Sequence, residues 1–146
     1  MKRIYFFLTA LIISGIFVLS GCGDDESEMS VTNADLLAGT TSKQWTLTNV
    51  AITGAGSGAP DPCTGDDIFT FFRNGNYTQD DATIKCDPDD VQLINGTYEF
   101  NSDMTAYTLT IGGLLAIDYT IVELTATRLV VDYNFIFDIR ETYEAR

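Results

Sequence analysis

The sequence predicts an all-β domain over residues 34–146: an antiparallel up-and-down barrel of about eight strands behind one short N-terminal helix. Three observations predict it. From residue 43 onward Thr, Val, Ile, Tyr and Phe recur in short runs with a period of two, the pattern of half-buried strands. Turn-forming residues such as Asn74-Gly75, Asn101-Ser102-Asp103, Gly112-Gly113 and Thr125-Ala126-Thr127 separate the runs, and short turns make sequence neighbours pair antiparallel. The final run is long and well alternated, which an exposed edge strand avoids, and closing the sheet on itself removes the edge. An open sandwich is the alternative.

Ala34 to Ala38 is the helix, capped by Asn33 and ended by Gly39. Lys43 to Ile52 is the first strand, with Trp45 and Leu47 on one face and, after a slip, Val50 and Ile52. Thr53 to Pro62 is rich in Gly and Pro and reads as a flexible loop. Asp67 to Arg73 and Asn76 to Asp80 form a hairpin around Asn74-Gly75, a pair that tolerates positive φ. After a turn at Asp87-Pro88-Asp89-Asp90, Asn95 to Phe100 and Ala106 to Ile111 follow, the latter with Tyr107, Leu109 and Ile111 on one face. Asp118 to Leu124 sets Tyr119 and Ile121 opposite Thr120 and Val122. Arg128 to Tyr133 groups Leu129, Val131 and Tyr133, and Asn134 marks a tight turn. The last strand puts Phe135, Phe137, Ile139 and Tyr143 on one face and Asp138 and Arg140 on the other.

The N-terminus has a different character. Lys2 and Arg3 precede an apolar run from Ile4 to Leu19, shorter than the ~20 residues a spanning helix needs. Leu19-Ser20-Gly21-Cys22 follows. This arrangement resembles a bacterial lipoprotein signal, which implies that residues 1–21 are removed and that Cys22 is lipidated and anchors the chain to a membrane. Residues 22–33 are then an acidic tether, polar and without apolar periodicity. The acidic cluster just behind Cys22, within Gly23-Asp24-Asp25-Glu26-Ser27-Glu28-Met29-Ser30, looks like the surface-export signal of lipoproteins in some Gram-negative lineages; the other reading is an ordinary linker. The expected location is the cell envelope, on the outer membrane of a Gram-negative bacterium, facing the periplasm or the surface.

Without the signal, 125 residues remain, enough for one core, and the net charge moves from −13 to −15. Such acidity argues against nucleic acid as a partner and against docking on anionic headgroups. The chain has no His, which removes His-based metal sites and Ser-His or Cys-His catalytic pairs. Besides Cys22 only Cys63 and Cys86 remain; in an exported domain they read as one disulfide, the alternative being free or metal-binding thiols.

With these residues in view, the chain from about Leu36 to Arg146 resembles the lipocalin-like domain of bacterial envelope lipoproteins. Gln44-Trp45-Thr46-Leu47 after the helix carries the likeness, as do Cys63 to Phe71 with Asn74-Gly75-Asn76-Tyr77, Lys85-Cys86-Asp87, and Tyr119 to Thr125 leading to Leu129-Val130-Val131. In lipocalins a Gly-x-Trp motif closes one barrel end and a late Arg packs on the Trp. Here the nearest Gly upstream of Trp45 is Gly39, and the resemblance implies Arg140 or Arg128 in the stacking role. It further implies a barrel mouth that takes a small apolar ligand, in a group whose members mostly have no assigned activity; no cofactor and no enzymatic activity are expected.

The residues alone point to little chemistry. Asp66-Asp67 and Asp87-Pro88-Asp89-Asp90 flank the two cysteines and read either as a site for a hard cation or as acidic turn residues; they do not follow the spacing of a calcium loop. Carboxylates this common do not argue for acid–base catalysis. Phe69, Phe71, Tyr77, Tyr98, Phe100, Tyr107, Tyr119, Tyr133, Phe135, Phe137 and Tyr143 are many aromatics for one small domain, and alternation sends about half of them inward. They either fill the barrel or line an apolar pocket. Two hypotheses follow: a barrel that binds a small hydrophobic molecule, or a surface adhesion or assembly module that binds protein or glycan through its loops. A hollow interior favours the first; a solid core with an ordered Gly-rich segment favours the second.

Overall fold

The computed structural model describes residues 30–146. The expected signal, Cys22 and most of the tether lie outside the described residues. Among the described residues nine strands form one antiparallel sheet, and eight of them close into a barrel. They are β1 (Ser42–Ile52), β2 (Gly56–Gly58), β3 (Ile68–Phe72), β4 (Asn76–Asp80), β5 (Leu93–Phe100), β6 (Ala106–Ile111), β7 (Leu115–Leu124), β8 (Arg128–Asn134) and β9 (Asp138–Ala145). Closure is made by β1 and β9, paired from Trp45 opposite Ala145 to Ile52 opposite Ile139, so the open sandwich is excluded. Two short helices complete the fold among the described residues, α1 (Asn33–Ala38) and α2 (Pro62–Gly65).

Helix α1 closes one end of the barrel. Its cap is Thr32, not Asn33: Thr32 has the extended backbone an N-cap needs, and its hydroxyl and N–H exchange hydrogen bonds with Asp35 at 3.2 and 2.8 Å. The side chain of Asn33 instead donates to the Met104 carbonyl at 2.9 Å, tying the helix to the β5–β6 loop. Hydrogen bonds from Thr32, together with the Arg73 guanidinium, hold the Asp35 carboxyl down at about 2. Gly39, at φ +63, ends the helix. Beneath it Trp45 is fully buried, and its indole N–H donates to the Leu37 carbonyl at 2.9 Å.

The cation over Trp45 is Lys43, 4.2 Å from the ring centroid, and neither Arg140 nor Arg128. Residues two apart on a strand share a face, so Lys43 needs no long-range arrangement to reach the ring. Lys43 also donates to the Leu36 and Ala126 carbonyls, at 2.8 and 2.7 Å. The two arginines are engaged on the outside of the barrel, Arg128 with Glu123 at 3.2 Å and Arg140 bidentate to Asp132 at 2.6 and 2.7 Å.

The slip in β1 is a bulge between Leu47 and Asn49, which returns Val50 and Ile52 to the inner face. A second bulge, between Ile121 and Glu123 in β7, leaves Val122 48% exposed. Gly96 in β5 marks a close approach: a Cβ there would lie 2.6 Å from the Thr110 carbonyl oxygen and 3.2 Å from the Tyr77 ring.

Two further expectations need correction. The Gly-rich loop is ordered, because Gly56–Gly58 pairs with Val50–Ile52 as strand β2 after a reversal at Gly54. Pairing through backbone alone leaves no side-chain pattern to read. The last strand starts at Asp138, and Phe135, Ile136 and Phe137 form an exposed hairpin tip between β8 and β9. The β8–β9 register from Arg128 opposite Glu144 to Asn134 opposite Asp138 leaves those three residues as the connection.

Candidate ligand-binding site

Alternation along the strands directs nine of the eleven aromatics inward, more than the half expected; only Phe135 and Phe137 stay out. They pack mostly edge to face. Phe71 meets Tyr77, Tyr98 and Tyr107 with centroids 5.2 to 5.8 Å apart, while Tyr107 and Tyr119 stack at 5.2 Å and 14°. The packing leaves a cavity of about 160 Å³ inside the barrel. Its wall is aromatic and aliphatic, with Tyr77, Tyr107, Tyr119 and Tyr143 presenting rings and hydroxyls, and Gln79 and Glu141 as the other strongly polar groups.

The polar groups have distinct partners. Glu141 lies on the inner face of β9 between Ile139 and Tyr143. One of its carboxylate oxygens accepts from the Tyr133 hydroxyl at 3.0 Å and the other from the Tyr143 hydroxyl. Burial raises the Glu141 carboxyl, and the two tyrosine donors oppose that rise. The Tyr98 hydroxyl leaves the interior and donates to the Phe72 carbonyl at 2.8 Å. Tyr107 and Tyr119 are buried, at 3% and 8% exposure, and their side chains line the cavity. Burial first, and the nearby Glu141 charge among the further causes, pushes both phenols above their ordinary range.

The mouth lies at the end opposite α1. There β1 exchanges its neighbour β3 for β2, and α2 packs beside the seam. Thr64 of α2 lines the cavity. Cys63 and Cys86 form the disulfide, with Cα atoms 5.0 Å apart, which ties α2 to the β4–β5 loop. The mouth is thereby stapled on one side. A family model for a lipocalin-like domain matches residues 41–131. The chain belongs to the lipocalin-like domain family. No curated protein and no solved structure matches it.

In this lipocalin-like barrel the acidic residues flanking the cysteines serve the backbone. Asp66 accepts from the N–H groups of Thr83 and Ile84, both at 3.0 Å, and Asp87 and Asp90 accept N–H bonds within their own turn. Among the described residues no group of three or more Asp, Glu or Cys is placed to hold a metal ion. Asp67 differs. It is 3% exposed, accepts from Gln79 at 2.8 Å, and is pushed up to about 6 by burial, with the Asp81 and Asp66 charges adding to the shift.

That shift predicts a pH dependence. The folded chain holds the Asp67 proton to a higher pH than the unfolded chain does, so its stabilising effect is complete below about pH 4 and lost as pH rises through about 6. Asp67→Asn mimics the protonated acid. The variant is expected to be about 2 kcal/mol more stable than wild type at pH 7.5, with the difference vanishing near pH 4. Denaturant midpoints at the two pH values check this; equal stability at pH 7.5 contradicts it.

A larger open cleft of about 860 Å³ lies beside the β1–β2 hairpin. One row of paired residues crosses it: Thr120, Asp132, Arg140, Ala51 and Ser57. Arg140 spends its guanidinium on Asp132, leaving this cleft without a free cation in that row.

Proposed function

We propose that this protein is a lipid-anchored envelope lipoprotein whose lipocalin-like barrel binds a small hydrophobic molecule without chemical conversion. The observation that carries the reading is the preformed cavity, walled mainly by aromatic rings and covered at its mouth by a disulfide-tied helix. Its 160 Å³ is close to the size of cavities that hold benzene, and well below the space a long acyl chain needs. The ligand is therefore of single-ring size. Thermal unfolding with a panel of single-ring aromatics tests this: a saturable rise in Tm is expected, since a ligand bound only to the folded state stabilises it by mass action. No shift with any compound of that size contradicts it.

The anchor rests on the sequence of residues 1–22 and places the barrel at the outer membrane, facing the periplasm or the surface. Cys22→Ala is expected to release the protein from membranes into the soluble fraction, as fractionation and immunoblotting would show. Persistence of an unprocessed, membrane-bound form contradicts a simple lipid tether.

A second reading is a surface adhesion or assembly module. The ordered β2 segment favours it, as do apolar tips on the loops of the open end, with Leu114 96% and Ile136 74% exposed.

A further inference from the structure

We infer that the barrel cavity takes a small organic cation, an amine of about single-ring size, with Glu141 as its counter-charge. The inference rests on the reading of the cavity as the ligand site and names the class of ligand.

Charge accounting carries it. Among the described residues Glu141 is the one acidic side chain in the cavity wall, and no basic side chain lines it. The chain has no His, and the basic residues beyond the N-terminal segment are otherwise engaged or exposed. Lys43 sits over Trp45 at the closed end, Arg73 pairs with Asp35, Arg128 with Glu123 and Arg140 with Asp132. Lys85 donates to the Asp90 carbonyl in the β4–β5 loop, and Arg146 is exposed at the end of the chain. The Glu141 charge thus faces the cavity without a protein cation. Its two hydrogen bonds come from neutral hydroxyls.

The rest of the wall suits the same ligand. Tyr107 and Tyr119 line the cavity, and their hydroxyl oxygens can accept N–H bonds from an ammonium group. Phe69, Phe71, Tyr77 and Tyr107 also line the cavity, and an aromatic ring attracts a cation placed over its face. An anion would meet Glu141 with nothing to offset the repulsion. A purely apolar ligand would leave the Glu141 charge with hydrogen bonds from neutral hydroxyls and no counter-charge.

Calorimetric titration of the mature Cys22→Ala protein at neutral pH with benzylamine, benzyl alcohol and benzoate tests the inference. Benzylamine is expected to bind at least tenfold more tightly than benzyl alcohol, and benzoate not to bind. Glu141→Gln is expected to bring benzylamine and benzyl alcohol within about twofold of each other. If that variant misfolds, Tyr107→Phe with Tyr119→Phe keeps both rings and is expected to weaken benzylamine severalfold with the melting temperature retained. Wild type that binds benzyl alcohol or benzoate as tightly as benzylamine overturns the cation while leaving the cavity a ligand site. Failure to bind any of the three also overturns it; the thermal-shift panel then decides separately whether the cavity binds anything.

Discussion

Trp45→Ala is expected to destabilise the domain by roughly 4 kcal/mol, the usual cost of emptying a fully buried indole site. For a domain of this size that lowers Tm by about 15 °C. Two losses combine. The ring leaves a cavity beneath α1, and the Leu37 carbonyl loses the indole N–H that ties the helix to β1. Lys43 also loses the ring it covers. Trp45→Phe separates the two, because it keeps most of the packing and removes the N–H; a cost of about 1–2 kcal/mol is expected. Denaturant unfolding of both variants checks the account. A Trp45→Ala protein with nearly native stability would show that α1 does not close the barrel through this residue.

Replacing both Cys63 and Cys86 with Ser is expected to cost about 3 kcal/mol, or roughly 10 °C in Tm, with the fold retained. The linked residues are 23 apart in sequence, and the cross-link restricts the unfolded chain over that loop. Retention of the fold follows from where the bridge sits. It joins α2 to the β4–β5 loop at the mouth, whereas the barrel is held by its ladders and by the core around Trp45, Leu129 and Val131. Ligand exchange should quicken in the same variant, because Thr64 of α2 lines the cavity. Equal melting of oxidised and reduced wild type contradicts the stabilising role.

Much of this fold was legible because strand side chains alternate. Tyr107, Leu109 and Ile111, and Leu129, Val131 and Tyr133, announce their inner faces directly. Even the β1 bulge shows as a break in period between Leu47 and Val50. Elements that work through backbone were not legible: β2 pairs three residues whose side chains, Gly, Ser and Gly, carry no hydrophobic signal. The Phe135-Ile136-Phe137 tip continued the alternation of β9 and so read as part of it, although the tight β8–β9 register excludes it.

The site was legible as an aromatic interior, not as a polar one. A signal for Glu141 exists in the sequence, since Ile139, Glu141 and Tyr143 alternate and place a carboxylate on the inner face. A charge at an inward position is the mark of a buried polar network. The stacking cation over Trp45 was missed in favour of distant arginines, when the nearer candidate stood two residues away on the same face.

On the proposed function the barrel interior holds a small molecule. Native mass spectrometry of the Cys22→Ala mature protein, purified gently from an envelope extract, tests it most directly. The account predicts a reproducible extra mass of single-ring size that denaturation removes and that a cavity-filling Leu109→Trp variant lacks. A bare mass, together with no uptake of small apolar probes, contradicts it and leaves the loops at the open end as the working surface.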